Sequence, residues 1–214
     1  MVDVYWFGQS SFKIKGKGAQ LITDPYDSAF SGLKFPKVEA DIVTVSHSHR
    51  DHSAVEAVQG NPFVLQGPGE YEVKGISIVG VGSFHDKKEG AERGKNTLYN
   101  ITIDDLNFAH MGDLGHLLND SELEELGEVD VLFVPVGGLY TIEADDAAKL
   151  VSQIEPKIVV PMHYKIEGLA FQLDGVEKFL KEMGKENLEV QPKLSVSKEK
   201  LPEELQVAIL EKSK

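Results

Sequence analysis

The run Ser46-His47-Ser48-His49-Arg50-Asp51-His52 constrains this chain more than any other stretch. Three imidazoles and a carboxylate crowd into it, directly after residues 41–45, a β-branched segment that reads as a buried strand. A strand ending in a polar turn places that turn at the carboxyl edge of its sheet, where α/β proteins build sites. In extended backbone His47 and His49 point the same way and can share one metal ion. Asp51 and His52 follow once the chain turns toward a short helix at 54–58, so they face a second point and imply a second ion. At this chain's own His and Asp frequencies, His-x-His-x-Asp-His arises by chance in roughly 1 in 2,000 sequences. That rarity, and its place after a strand, outweigh a plain solvated loop.

The rest of the chain reads as short strands first and strand–helix alternation later. Strands are expected at 2–7, 11–14, 19–23, 63–65, 71–73, 76–81, 97–103 and 106–109, with Asp104-Asp105 as a hairpin turn. Residues 28–38 read as loop, and the charged stretch 86–95 as an exposed loop. Further back come a helix at 121–126, capped by Asn119, Asp120 or Ser121, and a strand at 129–134. Thr141 is the expected N-cap of an amphipathic helix at 143–154, whose Ala147, Leu150, Val151 and Ile154 share one side. A strand at 157–160, a helix at 175–183 and a strand at 206–210 complete the chain. The expectation is one α/β domain over residues 1–214, built of two similar halves that meet near residue 100.

Composition narrows the chemistry. There is no cysteine, so disulfides, thiolate nucleophiles and thiolate ligands are excluded, and a metal site must use His, Asp and Glu. A net charge of −13 argues against a phosphate-backbone partner, so a small-molecule substrate is expected and nucleic acid is not. No apolar run approaches the ~20 residues a bilayer span requires, and no membrane association is expected. The opening Met1-Val2-Asp3-Val4-Tyr5-Trp6 lacks the basic patch and apolar stretch of a secretory signal, so the expected location is cytoplasmic. The oligomeric state stays open.

The cluster resembles the signature of the metallo-β-lactamase fold superfamily, and the resemblance extends over most of the chain. Asp24, in Leu21-Ile22-Thr23-Asp24-Pro25, is similar to that superfamily's strand-end aspartate, which supports the metal site. His85 in Phe84-His85-Asp86, Asp113 in His110-Met111-Gly112-Asp113, and His163 in Pro161-Met162-His163-Tyr164 resemble its remaining ligands. The segment Trp6-Phe7-Gly8-Gln9-Ser10-Ser11-Phe12 and the His-x-Gly-Asp segment are similar to the ascorbate-6-phosphate lactonase-like branch. The resemblance implies a four-layer αββα sandwich. It implies a first metal on His47, His49 and His85, and a second on Asp51, His52, Asp113 and His163, with room for a bridging water. Two zinc ions per chain are expected, since imidazole and carboxylate suit zinc and tolerate Mn2+ or Fe2+. Diiron members of this fold carry Glu in the position of His49.

The implied activity is hydrolysis of an ester-type bond, whether lactone, ester, thioester or phosphoester, by metal-activated water. Asp51 and His110 are the candidate catalytic residues. His110 sits three positions before Asp113, either as substrate contact or proton donor, or as a support for the Asp113 loop. Gln9 departs from the branch, in which many members have His there. His116 reads as a loop or cap histidine, and Lys165 as either an anion contact or a surface lysine. Two alternatives are carried: a phosphodiesterase or nuclease of the same fold, and a non-catalytic metal-binding protein. The nuclease predicts a basic face and a substrate-gripping insertion, and neither is visible in the sequence.

Overall fold

Period-two alternation shapes the first strands of the computed structural model, which describes residues 1–213. In β1 (Val2–Gly8), Val2, Val4 and Trp6 are buried while Asp3 and Tyr5 are partly exposed. The hairpin to β2 (Ser11–Lys15) pairs Trp6 with Phe12 and Val4 with Ile14. β3 (Gln20–Thr23), β4 (Ile42–Val45) and β5 (Phe63–Gln66) then run parallel to one another. A second series comprises β6 (Gly69–Val73), β7 (Ile76–Phe84), β8 (Lys95–Ile103), β9 (Leu106–His110), β10 (Val131–Pro135) and β11 (Ile158–Met162). The tail adds β12 (Val190–Gln191), β13 (Leu194–Val196), β14 (Gln206–Val207) and β15 (Ile209–Leu210).

These strands form two mixed sheets, ordered β13-β1-β2-β3-β4-β5 and β14-β11-β10-β9-β8-β7-β6, while β12 and β15 pair separately. The inner faces meet in a continuous apolar core, where Phe12 of the first sheet stacks on Phe133 of the second at 4.3 Å between ring centroids. Outside the second sheet lie α2 (Asp120–Leu126), α3 (Ala144–Ile154) and α4 (Glu177–Glu182). Ala147, Leu150 and Val151 of α3 are buried as the amphipathic pattern predicts. Outside the first sheet, Phe7, Tyr26, Phe35 and Val43 form a second core beside α1 (Ser28–Ser31) and a 3-10 turn at Val55–Ala57. The layering is the αββα sandwich expected. Among the described residues no helix is long and apolar enough to cross a membrane.

Several local expectations are corrected. The chain changes sheet between β5 and β6, at Gly67-Pro68, rather than near residue 100, and β13 returns to the first sheet. Residues 28–38 contain α1, because the Asp27 side chain caps Ala29 and Phe30 and Gly32 ends the turn in a left-handed conformation. The strand read at 206–210 breaks at Ala208 into β14 and β15, which join different sheets. Helix α3 starts from Glu143 without a side-chain cap, and Thr141 instead turns its hydroxyl to the Ile142 carbonyl. Asn119 is the cap of α2, in a reciprocal capping box with Glu122.

β3 and β4 are parallel, as are β9, β10 and β11, and two antiparallel pairings orient β7 like β9. The carboxyl ends of β3, β4, β7, β9 and β11 therefore deliver Asp24, the 46–52 turn, His85, Asp113 and His163 to one rim.

Candidate metal centre

At that rim a single carboxylate oxygen sits among four imidazoles. Asp113 Oδ2 lies 3.2 Å from His85 Nε2, 3.3 Å from His52 Nε2, 3.5 Å from His163 Nε2 and 3.8 Å from His47 Nε2. His49 Nδ1 is 3.0 Å from His47 Nε2, and Asp51 Oδ2 is 3.6 Å from His52 Nε2. The seven residues read as ligands from the sequence are thus gathered from four separate stretches of chain. Their donor atoms form compact trios within 4.8 Å: His47, His49 and His85 in one, Asp51, His52 and His163 in another. Asp24, His47 and His52 meet the same distance criterion. Asp24 belongs to the support rather than the ligands, because both its oxygens are already engaged by protein donors.

Those donors fix the ligands from behind. Asp24 accepts the His52 Nδ1 proton at 2.8 Å, the Ser46 amide at 2.8 Å and the Ser46 hydroxyl at 2.5 Å. His52 therefore turns Nε2 toward Asp113, the nitrogen it could offer to a cation. Asn96 Oδ1 accepts the Asp113 amide at 3.0 Å, and its Nδ2 is held by Ser83 Oγ and the Met111 carbonyl. Gly112 (φ +53°) has to be glycine, since a Cβ would collide with Asn96 Oδ1 and the Ser46 side chain. Gly137 lets the loop after β10 pass the His163 carbonyl, which a Cβ would meet. Left-handed backbone recurs here in residues that pay for it sterically: Gln9 (φ 51°), Asp24 (φ 37°) and His163 (φ 50°). Gln9 is fully buried, with Nε2 3.5 Å from Asp51 Oδ2, so it faces a ligand rather than open solvent.

The electrostatics suit a cation. Burial, reinforced by the charge of His52, pushes His47 down to about 3, so its ring is neutral at physiological pH. Burial likewise lowers His49 and His163. His52 goes the other way: burial opposes its charged form, but Asp113, Asp51 and Asp24 raise it well above the usual histidine range. Burial would raise Asp51, yet His52 beside it holds it at about 2. Asp113 is driven well below the carboxylate range by His163 and His52 despite its burial. Two atoms at the centre, His52 Nε2 and Asp113 Oδ1, are buried with no hydrogen-bond partner. Donors sharing one tetrahedral ion stand about 3.4 Å apart when each bond is about 2.0–2.1 Å. The nitrogens and oxygens here are spaced in that range, so the donor set fits divalent first-row cations.

A cavity of about 490 Å³ opens onto His49, Asp51, His85, Asp113 and His163. A larger one, about 700 Å³, lies against β1 and β2 and is lined by five lysines and no imidazole or carboxylate. Metal chemistry therefore belongs to the smaller cavity. His110 does not reach it. This histidine is fully buried, donates from Nε2 to the Ser10 carbonyl at 2.7 Å and accepts the Gly112 amide at Nδ1, 3.2 Å away. Both ring nitrogens are engaged by backbone, which supports the Asp113 loop and does not fit a proton donor to substrate. His116 is similarly tied, to the Leu117 carbonyl and the Phe84 amide. Lys165 is exposed and absent from the cavity lining. The cationic residues that do line it are Arg50 and Arg93. Sequence reading passed over both, although they are the only two arginines in the chain, which was the available signal.

Comparison with known proteins agrees with this geometry. A family model for the beta-lactamase superfamily domain matches residues 3–163. Two UPF0173 metal-dependent hydrolases are similar to this chain. That of Thermococcus onnurineus is 31% identical over 192 residues, covering 77% of this chain and 85% of the relative. That of Thermococcus kodakarensis is 30% identical with the same coverage. Among solved structures, a candidate Zn-dependent hydrolase of the metallo-beta-lactamase superfamily from Thermotoga maritima is 36% identical. It superimposes with a TM-score of 0.80 over 99% of this chain and 100% of its own.

Proposed function

Because the chain belongs to the metallo-β-lactamase superfamily, we propose that it is a metal-dependent hydrolase that cleaves an ester-type bond in a small substrate, using a pair of zinc ions. The observation that carries this reading is the position of Asp113 Oδ2, 3.2–3.8 Å from four imidazole nitrogens that reach it from three other stretches of chain. His47, His49 and His85 would hold one ion and Asp51, His52 and His163 the other, with the Asp113 carboxylate available to either. When bound, the ions supply water acidified into the neutral range and polarise the oxygen of the scissile group.

The protein's own residues do the remaining work. His47 is neutral at physiological pH and ready to coordinate. Asp24 fixes the tautomer and direction of His52 through the 2.8 Å hydrogen bond to Nδ1. Asp51 borders the cavity and stays ionised throughout the neutral range, so its Oδ2 orients the attacking water as well as a cation. Gln9 Nε2 keeps that carboxylate from rotating. Zinc is favoured by a donor set of imidazole and carboxylate alone, with Mn2+ or Fe2+ as tolerated substitutes.

The experiment is to screen metal-loaded protein against lactones, esters, thioesters and phosphodiesters, beside His49→Ala and Asp113→Ala. Turnover of at least one class, abolished in both variants while unfolding stays cooperative, is the expected result. Tight metal binding without turnover on the whole panel points instead to a non-catalytic metal-binding protein.

A further inference from the structure

The chain spends its cations unevenly. It has 22 Lys and Arg residues, but only Arg50 and Arg93 are arginines, and both line the metal cavity. Each lies over an aromatic ring of the same rim: the Arg50 guanidinium is 5.2 Å from the Phe30 centroid, and that of Arg93 is 5.0 Å from Tyr140. Phe171 closes the gap, 6.0 Å from Phe30 and 6.4 Å from Tyr140. Arg50, Phe30, Phe171, Tyr140 and Arg93 therefore form an unbroken crescent around the mouth. Phe30 and Tyr140 remain 41% and 37% exposed.

The two arginines are not equivalent. Arg50 is already paired with Asp27, the residue that caps α1, so its charge is neutralised and it braces Phe30. Arg93 has no carboxylate partner among the described residues and makes only a long contact, 3.5 Å, to the Leu139 carbonyl. Its place is nonetheless built. The carboxylate of Asp86, the residue after His85, accepts the amides of Lys88, Gly90, Glu92 and Arg93 at 2.7–3.0 Å, which knots the 86–95 loop and sets Arg93 at the rim. A planar guanidinium with a free donor edge matches a carboxylate or phosphate in two-point contact, as a lysine ammonium does not.

Resting on the hydrolase reading above, we propose that the substrate carries a carboxylate or phosphate group held by Arg93 and a flat or apolar body that lies on Phe30, Phe171 and Tyr140, which places the scissile bond over the metal ligands. Arg93 is thus the specificity-determining residue of the site, and neutral or small esters are poor substrates.

The test is a binding measurement on the holoenzyme, independent of turnover. Three probes separate the two halves of the recognition: 2-naphthoate, its neutral counterpart 2-naphthylmethanol, and acetate. The proposal expects 2-naphthoate to bind tightest. Arg93→Gln should weaken it roughly ten- to hundredfold, the range of a hydrogen-bonded ion contact, and leave 2-naphthylmethanol unchanged. Phe171→Ala should weaken both naphthyl probes and leave acetate alone. Arg93→Lys should recover only part of the loss. If 2-naphthoate binds with equal affinity to Arg93→Gln, it is held by the metal ions only, and the proposal is overturned. Failure of the hydrolase reading has a different signature: no turnover on the panel, with the Arg93 effect on binding intact.

Discussion

Asp24 accepts three hydrogen bonds while touching no solvent, and one of its donors is the back of a ligand ring. Asp24→Asn keeps the volume but cannot accept from the ring and the Ser46 hydroxyl in the same way. It is expected to lower metal affinity about 10–100-fold, measured by competition with a chromophoric chelator. An unchanged affinity removes Asp24 from the support of the centre. His110 makes the opposite case. Its two nitrogens serve backbone groups, so His110→Gln should cost about 1–3 kcal/mol of stability by denaturant titration. The pH profile of kcat/KM should keep its shape; loss of the alkaline limb would restore His110 as the proton donor. The 47–52 cluster was legible in the sequence because metal coordination demands particular residue types and strand ends are where they are displayed, whereas His85, Asp113 and His163 were singled out through the resemblance to the superfamily, and the fold brings them to the same rim. The role of His110 was not legible, because it depends on which backbone groups from residues 10 and 112 surround the ring. Arg93 was hidden for the same reason: its meaning comes from Tyr140 and Phe171, distant in sequence.

Among the elements, the 86–95 loop has a measurable signature. Burial would raise the Asp86 carboxyl, but the amides of Arg93, Lys88, Glu92 and Gly90 outweigh it and hold its pKa at about 2, below the ordinary 3.8. A carboxylate whose folded pKa is depressed adds stability that is fully present above its unfolded pKa. That contribution fades as pH falls from about 4 through about 2. The stability gap between the native chain and Asp86→Asn should therefore be largest at neutral pH and shrink over that acid window, as followed by denaturant midpoints. A gap independent of pH would show that the ionised form does not hold the loop. Strands with clear alternation, such as β1, and the amphipathic helix α3 were read from sequence nearly to their ends. What escaped was set by long-range pairing: β13 joins β1 across almost the whole chain, and Ala208 divides β14 from β15 because their partners lie in different sheets. The short α1 escaped because it rests on a single cap, Asp27, and one left-handed glycine.

For the molecule as a whole, the two sheets pack so that strand ends from both halves share one rim, and the apolar core beneath them holds that rim in register. The 46–52 turn comes from the first sheet, while His85, Asp113 and His163 come from the second. A net charge of −13 is consistent with a centre whose carboxylates offset part of the charge of two divalent ions. Since ligating imidazoles must be unprotonated, metal affinity falls as the solution is acidified. The central claim is that these distant segments converge on a pair of cations, and metal stoichiometry tests it most directly. Elemental analysis of the purified chain at neutral pH should find about two first-row ions per molecule, with His49→Ala and His163→Ala each reducing the count toward about one. A chain free of metal after reloading and dialysis, or a count that neither substitution changes, contradicts the account.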